Sequence, residues 1–183
     1  MVEVYLAGEM SQGKTKLDVL NNTNLNRLVN YYYVKDNPNI FEWKALNKFQ
    51  KLFVDSGAFT AWTKKVKLTC EEYAEFIKKI DCDFYSVLDD ITSAEKILEN
   101  QKKLESLGIN PLPCFHYGED FKYLKYYVEN YNYVSLGGMV GKSSKILKPW
   151  LDKIFKMYPK HKFHGFGMTR IKFIQSYPWY SID

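Results

Sequence analysis

Arginine is nearly absent. Of the 26 basic residues, only Arg27 and Arg170 are arginines, so the formal charge of +5 rests on lysine. A mild lysine excess suits phosphate binding without requiring it, and a solvated lysine surface accounts for it equally well. Cysteine is scarce too. Cys70, Cys82 and Cys114 are scattered, odd in number and form no CxxC pair. That excludes a disulfide framework and leaves no zinc-ligand spacing, which His116, His161 and His164 do not supply. No apolar run approaches the length of a membrane span, and MVEVYLAGEM at the N-terminus has no basic region ahead of an apolar one. The expectation is a cytoplasmic protein with no membrane partner. The chain also lacks linkers, low-complexity tracts, sharp repeats and two-residue hairpin turns between its apolar runs.

What is present fits one folded domain spanning residues 1–183. Hydrophobic residues make up 46% and charged residues 26%, and 183 residues are enough to bury a real core. Aromatics reach 17%, with fifteen tyrosines. Most must pack inside, and the remainder are available to stack on bases.

Strand-like runs alternate with helical ones. Val2–Ala7, Leu28–Val34, Leu52–Asp55, Phe84–Leu88, Pro111–Phe115, Tyr133–Leu136, Lys162–Phe166 and Trp179–Asp183 read as strands. Helical patterns lie between them: a weak one over Lys16–Asn26, then Ile40–Lys51. Further on come the stretch after Thr69, the stretch from Thr92 or Ser93 to Leu107, Asp120–Asn130, Ser144–Tyr158 and Arg170–Ser176. Thr69 with Glu72 three residues on resembles a capping box, and Gly108 ends the helix before it. Alternation with helical crossovers implies parallel strands and an α/β fold. A doubly wound sheet and a (β/α)8 TIM-type barrel both fit, and eight strands favour the barrel.

Parallel α/β folds place their sites at the carboxyl ends of strands. Those ends carry Asp55, Asp89 with Asp90, His116, Gly137-Gly138, His164 through Thr169, and Asp183. Bland alternatives stand beside each. Val-Leu-Asp-Asp is also a helix-cap sequence, His116 is also a plausible structural histidine, and a Gly-Gly pair also makes a tight turn. Together the set favours a site. Several carboxylates at one pocket suit chemistry at a sugar carbon, one as nucleophile and another as acid or base. Carboxylates also accept hydrogen bonds from the N1–H and the amine of guanine. Glycines admit a flat base, and Phe59 offers a ring to stack on it.

A competing motif comes early. Gly8-Glu9-Met10-Ser11-Gln12-Gly13-Lys14-Thr15 matches the P-loop pattern after a strand, and FYSVLDD resembles a strand bearing a magnesium-binding acid. A nucleotide kinase or ATPase is therefore an alternative. Against it, the following helix is weak and rich in asparagine, and a P-loop leaves the later strand-end residues unexplained.

The motifs DSGAF (55–59), VLDD (87–90), FHYGED (115–120), LGGM (136–139), HGFGMT (164–169) and YPWYSID (177–183) occur in an order that resembles the tRNA-guanine transglycosylase superfamily. The likeness is closer to its short phage and bacterial branch, which includes enzymes placing 7-deazaguanines in DNA. It runs from about Tyr5 to Asp183. The resemblance implies a (β/α)8 barrel that exchanges guanine in a polynucleotide, DNA or tRNA, for a free 7-deazaguanine base. Carried over by position, Asp183 is the nucleophile and Asp55 the acid that assists proton transfer. Phe59 stacks on the base, Asp89 (with Asp90 beside it) reads the guanine edge, and Gly137 and Gly138 offer backbone to it. His116 stands where the family usually has Gln. His164, where it often has an apolar wall residue, joins Met168 of the same segment in lining the substrate site.

The sequence departs from the family in places. Ala58 replaces a second Gly, and FHYG replaces a Gln pair. The family's zinc site lies beyond the nucleophile, so no metal and no cofactor are expected in these residues. The eighth strand is barely begun and its helix is missing, which reads as a barrel truncated at its C-terminal end. A non-catalytic nucleic-acid-binding remnant is the third reading. An oligomer is neither required nor excluded.

Overall fold

Leu52, Phe53 and Val54 follow one another without a polar residue, and all three are buried. A strand buries consecutive side chains only when both faces of its sheet are covered, as in parallel α/β sheets. The computed structural model describes residues 1–7, 26–36 and 51–183. The elements run β1 (Glu3–Ala7), β2 (Asn26–Asn30), α1 (Tyr31–Val34), β3 (Leu52–Asp55), α2 (Ala58–Thr63), α3 (Cys70–Lys79), β4 (Phe84–Tyr85) and α4 (Ala94–Ser106). They continue with β5 (Cys114–His116), α5 (Phe121–Asn130), β6 (Tyr133–Gly137), α6 (Ser144–Met157), β7 (Lys162–Gly165), α7 (Ile171–Ser176) and β8 (Ser181–Ile182). Among the described residues the fold is α/β with eight strands, and every ladder is parallel. Among the described residues no helix is long and apolar enough to cross a membrane.

The chain divides into two compact units. The first, Tyr5–Pro111, pairs strands in the order β4-β3-β2-β1. Its core gathers Tyr5, Val29, Phe53, Tyr73, Ile97 and Leu104. Tyr5 meets Phe53 edge-on at 5.6 Å. The second unit, Met1–Val4 with Leu112–Asp183, pairs them β1-β8-β7-β6-β5. Phe115, Leu136, Leu147, Leu151, Ile154 and Phe163 fill it. Phe155 anchors an aromatic cluster there, stacked on Tyr177 at 5.1 Å and edge-on to Trp179 at 4.9 Å.

Helix starts follow the short polar residues that precede them. Thr69 accepts from Glu72 N–H at 3.3 Å, Ser93 from Lys96 N–H at 3.3 Å, Asp120 from Lys122 N–H at 2.9 Å and Ser143 from Ile146 N–H at 3.4 Å. Each satisfies one of the amide donors a helix leaves open at its start. Leu28–Val34 departs from expectation. The strand is Asn26–Asn30, and Tyr31–Val34 forms a short helix. Asn30 decides the switch, because its side chain accepts from Tyr32 N–H at 3.0 Å. Tyr31 then packs on Tyr73 and Phe76 at 5.0 and 4.9 Å, so tertiary contact overrides aromatic β-propensity. Phe84–Leu88 is likewise shorter as a strand, Phe84–Tyr85. The helices expected over Lys16–Asn26 and Ile40–Lys51 lie outside the described residues, except that Asn26 opens β2.

Candidate active site

In the second unit the carboxyl ends of β5, β6, β7 and β8 form one row. His116 pairs with Gly137, Leu136 with Gly165, and Gly165 with Ile182. One residue further on, Asp183 N–H donates to Gly165 O at 3.4 Å. Parallel register thus carries Asp183 to the strand-end edge.

Asp183 is held through one oxygen. Its Oδ1 accepts from Gly167 N–H at 3.1 Å and from His164 Nε2 at 3.2 Å. Its Oδ2 has no hydrogen bond among the described residues. His164 is completely buried. Its Nδ1 lies 2.6 Å from Ser181 Oγ, which in turn bonds the Tyr133 hydroxyl. Proton accounting gives this chain one direction. With Asp183 as carboxylate, Nε2 carries the proton and donates. Nδ1 then accepts from the Ser181 hydroxyl, and Ser181 accepts from Tyr133. Burial holds the His164 imidazole below its ordinary value, and the Asp183 carboxylate offsets this only in part. Burial also raises the Tyr133 phenol, against the Ser181 bond that lowers it. Both groups are therefore neutral, as the directed chain requires.

The buried histidine predicts a pH dependence of stability. Below the ordinary histidine value of 6.5, the unfolded chain binds a proton there that the folded chain refuses. Stability is full above that value and falls as the pH drops below it. His161, lowered by burial as well, acts in the same direction. Melting temperatures should fall from about pH 7 to about pH 5, less steeply in His164→Asn than in the parent. Equal slopes would refute a neutral, buried His164.

His116 is fixed beside this row. Glu119 accepts from His116 N–H at 2.9 Å and lies 3.2 Å from His116 Nδ1. His116 Nε2 lies 3.4 Å from Cys114 Sγ. Thiol and imidazole present two metal-capable donors, and Glu119 sits on the other ring nitrogen as the orienting partners of metal-bound histidines do. Glycine at 137 makes the arrangement possible, because a Cβ there would come within 2.4 Å of His116 Cδ2.

In the first unit, Asn30 and Asp55 are register partners at the ends of β2 and β3. Ser86 continues the row and donates to Asp55 Oδ1 at a long 3.5 Å. Its Oγ also accepts from Ser56 N–H at 2.9 Å. The Tyr73 hydroxyl donates to Ser86 O at 2.8 Å. Burial pushes the Tyr73 phenol well up, with the Asp55 charge adding to it. Asp89 N–H donates to Ser56 Oγ at 3.4 Å, and Asp89 Oδ1 accepts from Asp90 N–H at 2.9 Å. Asp55 and Asp89 are thus joined through two buried serines.

The expected residues sort as follows. His164 and Asp183 meet directly, and His116 packs against Gly137 and Gly138. Met168 is buried beside Gly165, so it supports the row from inside. Phe59 is exposed on α2. Asp90 anchors the turn ahead of α4, whose cap is Ser93. Its Oδ1 accepts from Thr92 N–H, Thr92 Oγ and Ser93 N–H at 2.8, 2.6 and 3.0 Å. Partial burial raises its carboxyl, and the Thr92 and Ser93 bonds with nearby Lys96 outweigh that and bring it below the usual range. Sequence reasoning missed Ser181, Tyr133, Ser86 and Asn30. Ser181 had a signal, since it stands two residues before Asp183 and so shares its strand face. The P-loop pattern over Gly8–Thr15 lies outside the described residues. No protein-family model matches the chain, and no curated protein matches it at a significant level.

Proposed function

We propose that this chain is a transglycosylase, similar to the tRNA-guanine transglycosylases, on a (β/α)8 framework. It exchanges guanine in a polynucleotide for a 7-deazaguanine base through a covalent intermediate on Asp183. The observation that carries this reading is the half-anchored carboxylate. Asp183 Oδ1 is tied to Gly167 N–H and His164, while Oδ2 makes no hydrogen bond among the described residues. A nucleophile needs a fixed position and a lone pair not engaged in a hydrogen bond, and among the described residues this carboxylate has both.

In the first step Oδ2 attacks the ribosyl C1′, and the bond from C1′ to the guanine nitrogen breaks. Guanine leaves with the bonding pair and takes up a proton. In the second, the 7-deazaguanine gives up the proton on its ring nitrogen as that nitrogen attacks C1′ and displaces Asp183. Two inversions restore the original configuration. Asp55 is assigned the proton transfers by the resemblance. His164, Ser181 and Tyr133 act through Asp183 as positioning residues. Their directed hydrogen bonds keep its carboxylate oriented. Gly137 and Gly138 lack side chains that would obstruct a flat base.

The test is mass spectrometry of nucleosides from DNA and from tRNA after incubation with candidate 7-deazaguanines. Replacement of guanine in either polymer is the expected result. Unchanged nucleosides in both, under conditions where the protein is folded, would sink the reading.

A further inference from the structure

Two of the large apolar side chains in the first unit point outward from one short helix. Phe59 is 66% exposed and Trp62 57% exposed. They stand three apart on α2, with ring centroids 6.3 Å apart and planes 35° from parallel. The helix ends in an exposed basic turn, Lys64-Lys65. That turn is a Schellman motif: Val66 N–H donates to Ala61 O at 2.8 Å and Lys65 N–H to Trp62 O at 3.1 Å. Its left-handed position falls on Lys65, at φ 56°, the one non-glycine with positive φ among the described residues. Glycine is the usual occupant, because a side chain is strained there. Among the described residues neither Lys64 nor Lys65 has an acidic partner, whereas Lys103 pairs with Glu71 and Lys148 with Asp152. Lys67, by contrast, shares a hollow with Asp36, Glu72 and Glu75.

We infer that α2 and its terminal turn form a docking surface for a single-stranded stretch of polynucleotide. Trp62, beside Phe59, stacks on a base of the strand, and Lys64 and Lys65 contact phosphates. Exposed rings beside uncompensated cations are the combination such strands require. A strained lysine where glycine fits better marks a side chain kept for a contact rather than for the fold. The surface begins just after Asp55, at the strand-end side of its own unit. The inference rests on the polynucleotide reading above and adds the place where the strand lies.

Labelled single-stranded DNA and RNA oligonucleotides of about ten nucleotides, titrated by fluorescence anisotropy at several salt concentrations, test it. Trp62→Ala should weaken binding about tenfold or more, and Trp62→Phe should restore most of it. Lys65→Gly should weaken binding severalfold and reduce the salt slope by about 0.7. It should also raise the melting temperature by about 2–4 °C, because it relieves the backbone. Parental affinity in both Trp62→Ala and Lys65→Gly overturns the surface, as does a parent that binds neither polymer. Base exchange is scored separately. Binding that depends on Trp62 without exchange keeps the surface and removes the transglycosylase. Exchange with Trp62→Ala and Lys65→Gly at parental affinity does the reverse.

Discussion

Asp183→Asn is expected to abolish covalent capture of polynucleotide and to lower base exchange by at least about a thousandfold. The size follows from what the amide keeps and what it loses. Its carbonyl oxygen still accepts from Gly167 N–H and from His164 Nε2, the two bonds that position the carboxylate. The fold and the relay through Ser181 to Tyr133 therefore survive. What disappears is the charge and the lone pair at Oδ2, and a neutral amide is a poor nucleophile toward a sugar carbon. Denaturing electrophoresis with a stalled substrate reads the adduct, and a melting curve establishes that the variant is folded. An adduct formed by the asparagine variant would remove Asp183 from the nucleophile's role.

Gly57→Ala should cost roughly 2–4 kcal/mol of stability, or about 5–15 °C in melting temperature. Three penalties coincide. Gly57 has φ 71°, a conformation alanine adopts at a cost. Its Cβ would lie 2.1 Å from Asn30 Oδ1 and 2.9 Å from the Tyr32 backbone nitrogen. Asn30 Oδ1 is the cap of α1, so relieving the clash sacrifices that hydrogen bond. Asp55 stands two residues before this glycine, so its placement should suffer as well. Gly118→Ala is the control. It has φ 96° but nothing within 4 Å of the added carbon, and so carries the backbone cost alone, about 1 kcal/mol. Equal losses in the two variants would show that the contact with Asn30 is not the cause.

The α/β class and most element positions were legible in the chain. Leu52–Asp55, Tyr133–Gly137 and the helices capped by Thr69, Ser93, Asp120 and Ser143 lie within a residue or two of their sequence signals. These signals act over a few residues: an apolar run, a capping oxygen, a glycine after the last turn. Helix α2 was not legible. It begins without a side-chain cap, on the left-handed Gly57, in a stretch with no helical pattern just after the Leu52–Asp55 strand. Asn30 was equally silent, because an asparagine within LVNYYYV announces a cap only once Tyr31 has aromatic neighbours to pack on.

The sequence alone determined that Asp55 and Asp183 stand at strand ends, since the runs before them need no partner to be seen, whereas Asp89 lies four residues beyond the end of β4. Tertiary structure decided what each one does. Asp90 became the anchor of the turn ahead of α4 through residues two and three positions away. Asp183 became a half-anchored carboxylate through His164 and Gly167, nineteen and sixteen positions away. The relay behind it closes between Tyr133 and Ser181, forty-eight positions apart. Tyr133 belongs to none of the motifs, and Ser181 sits within YPWYSID without being singled out by it. Each acquires its role only when parallel register sets three strands side by side and burial leaves their hydroxyls and imidazole no water to bond to.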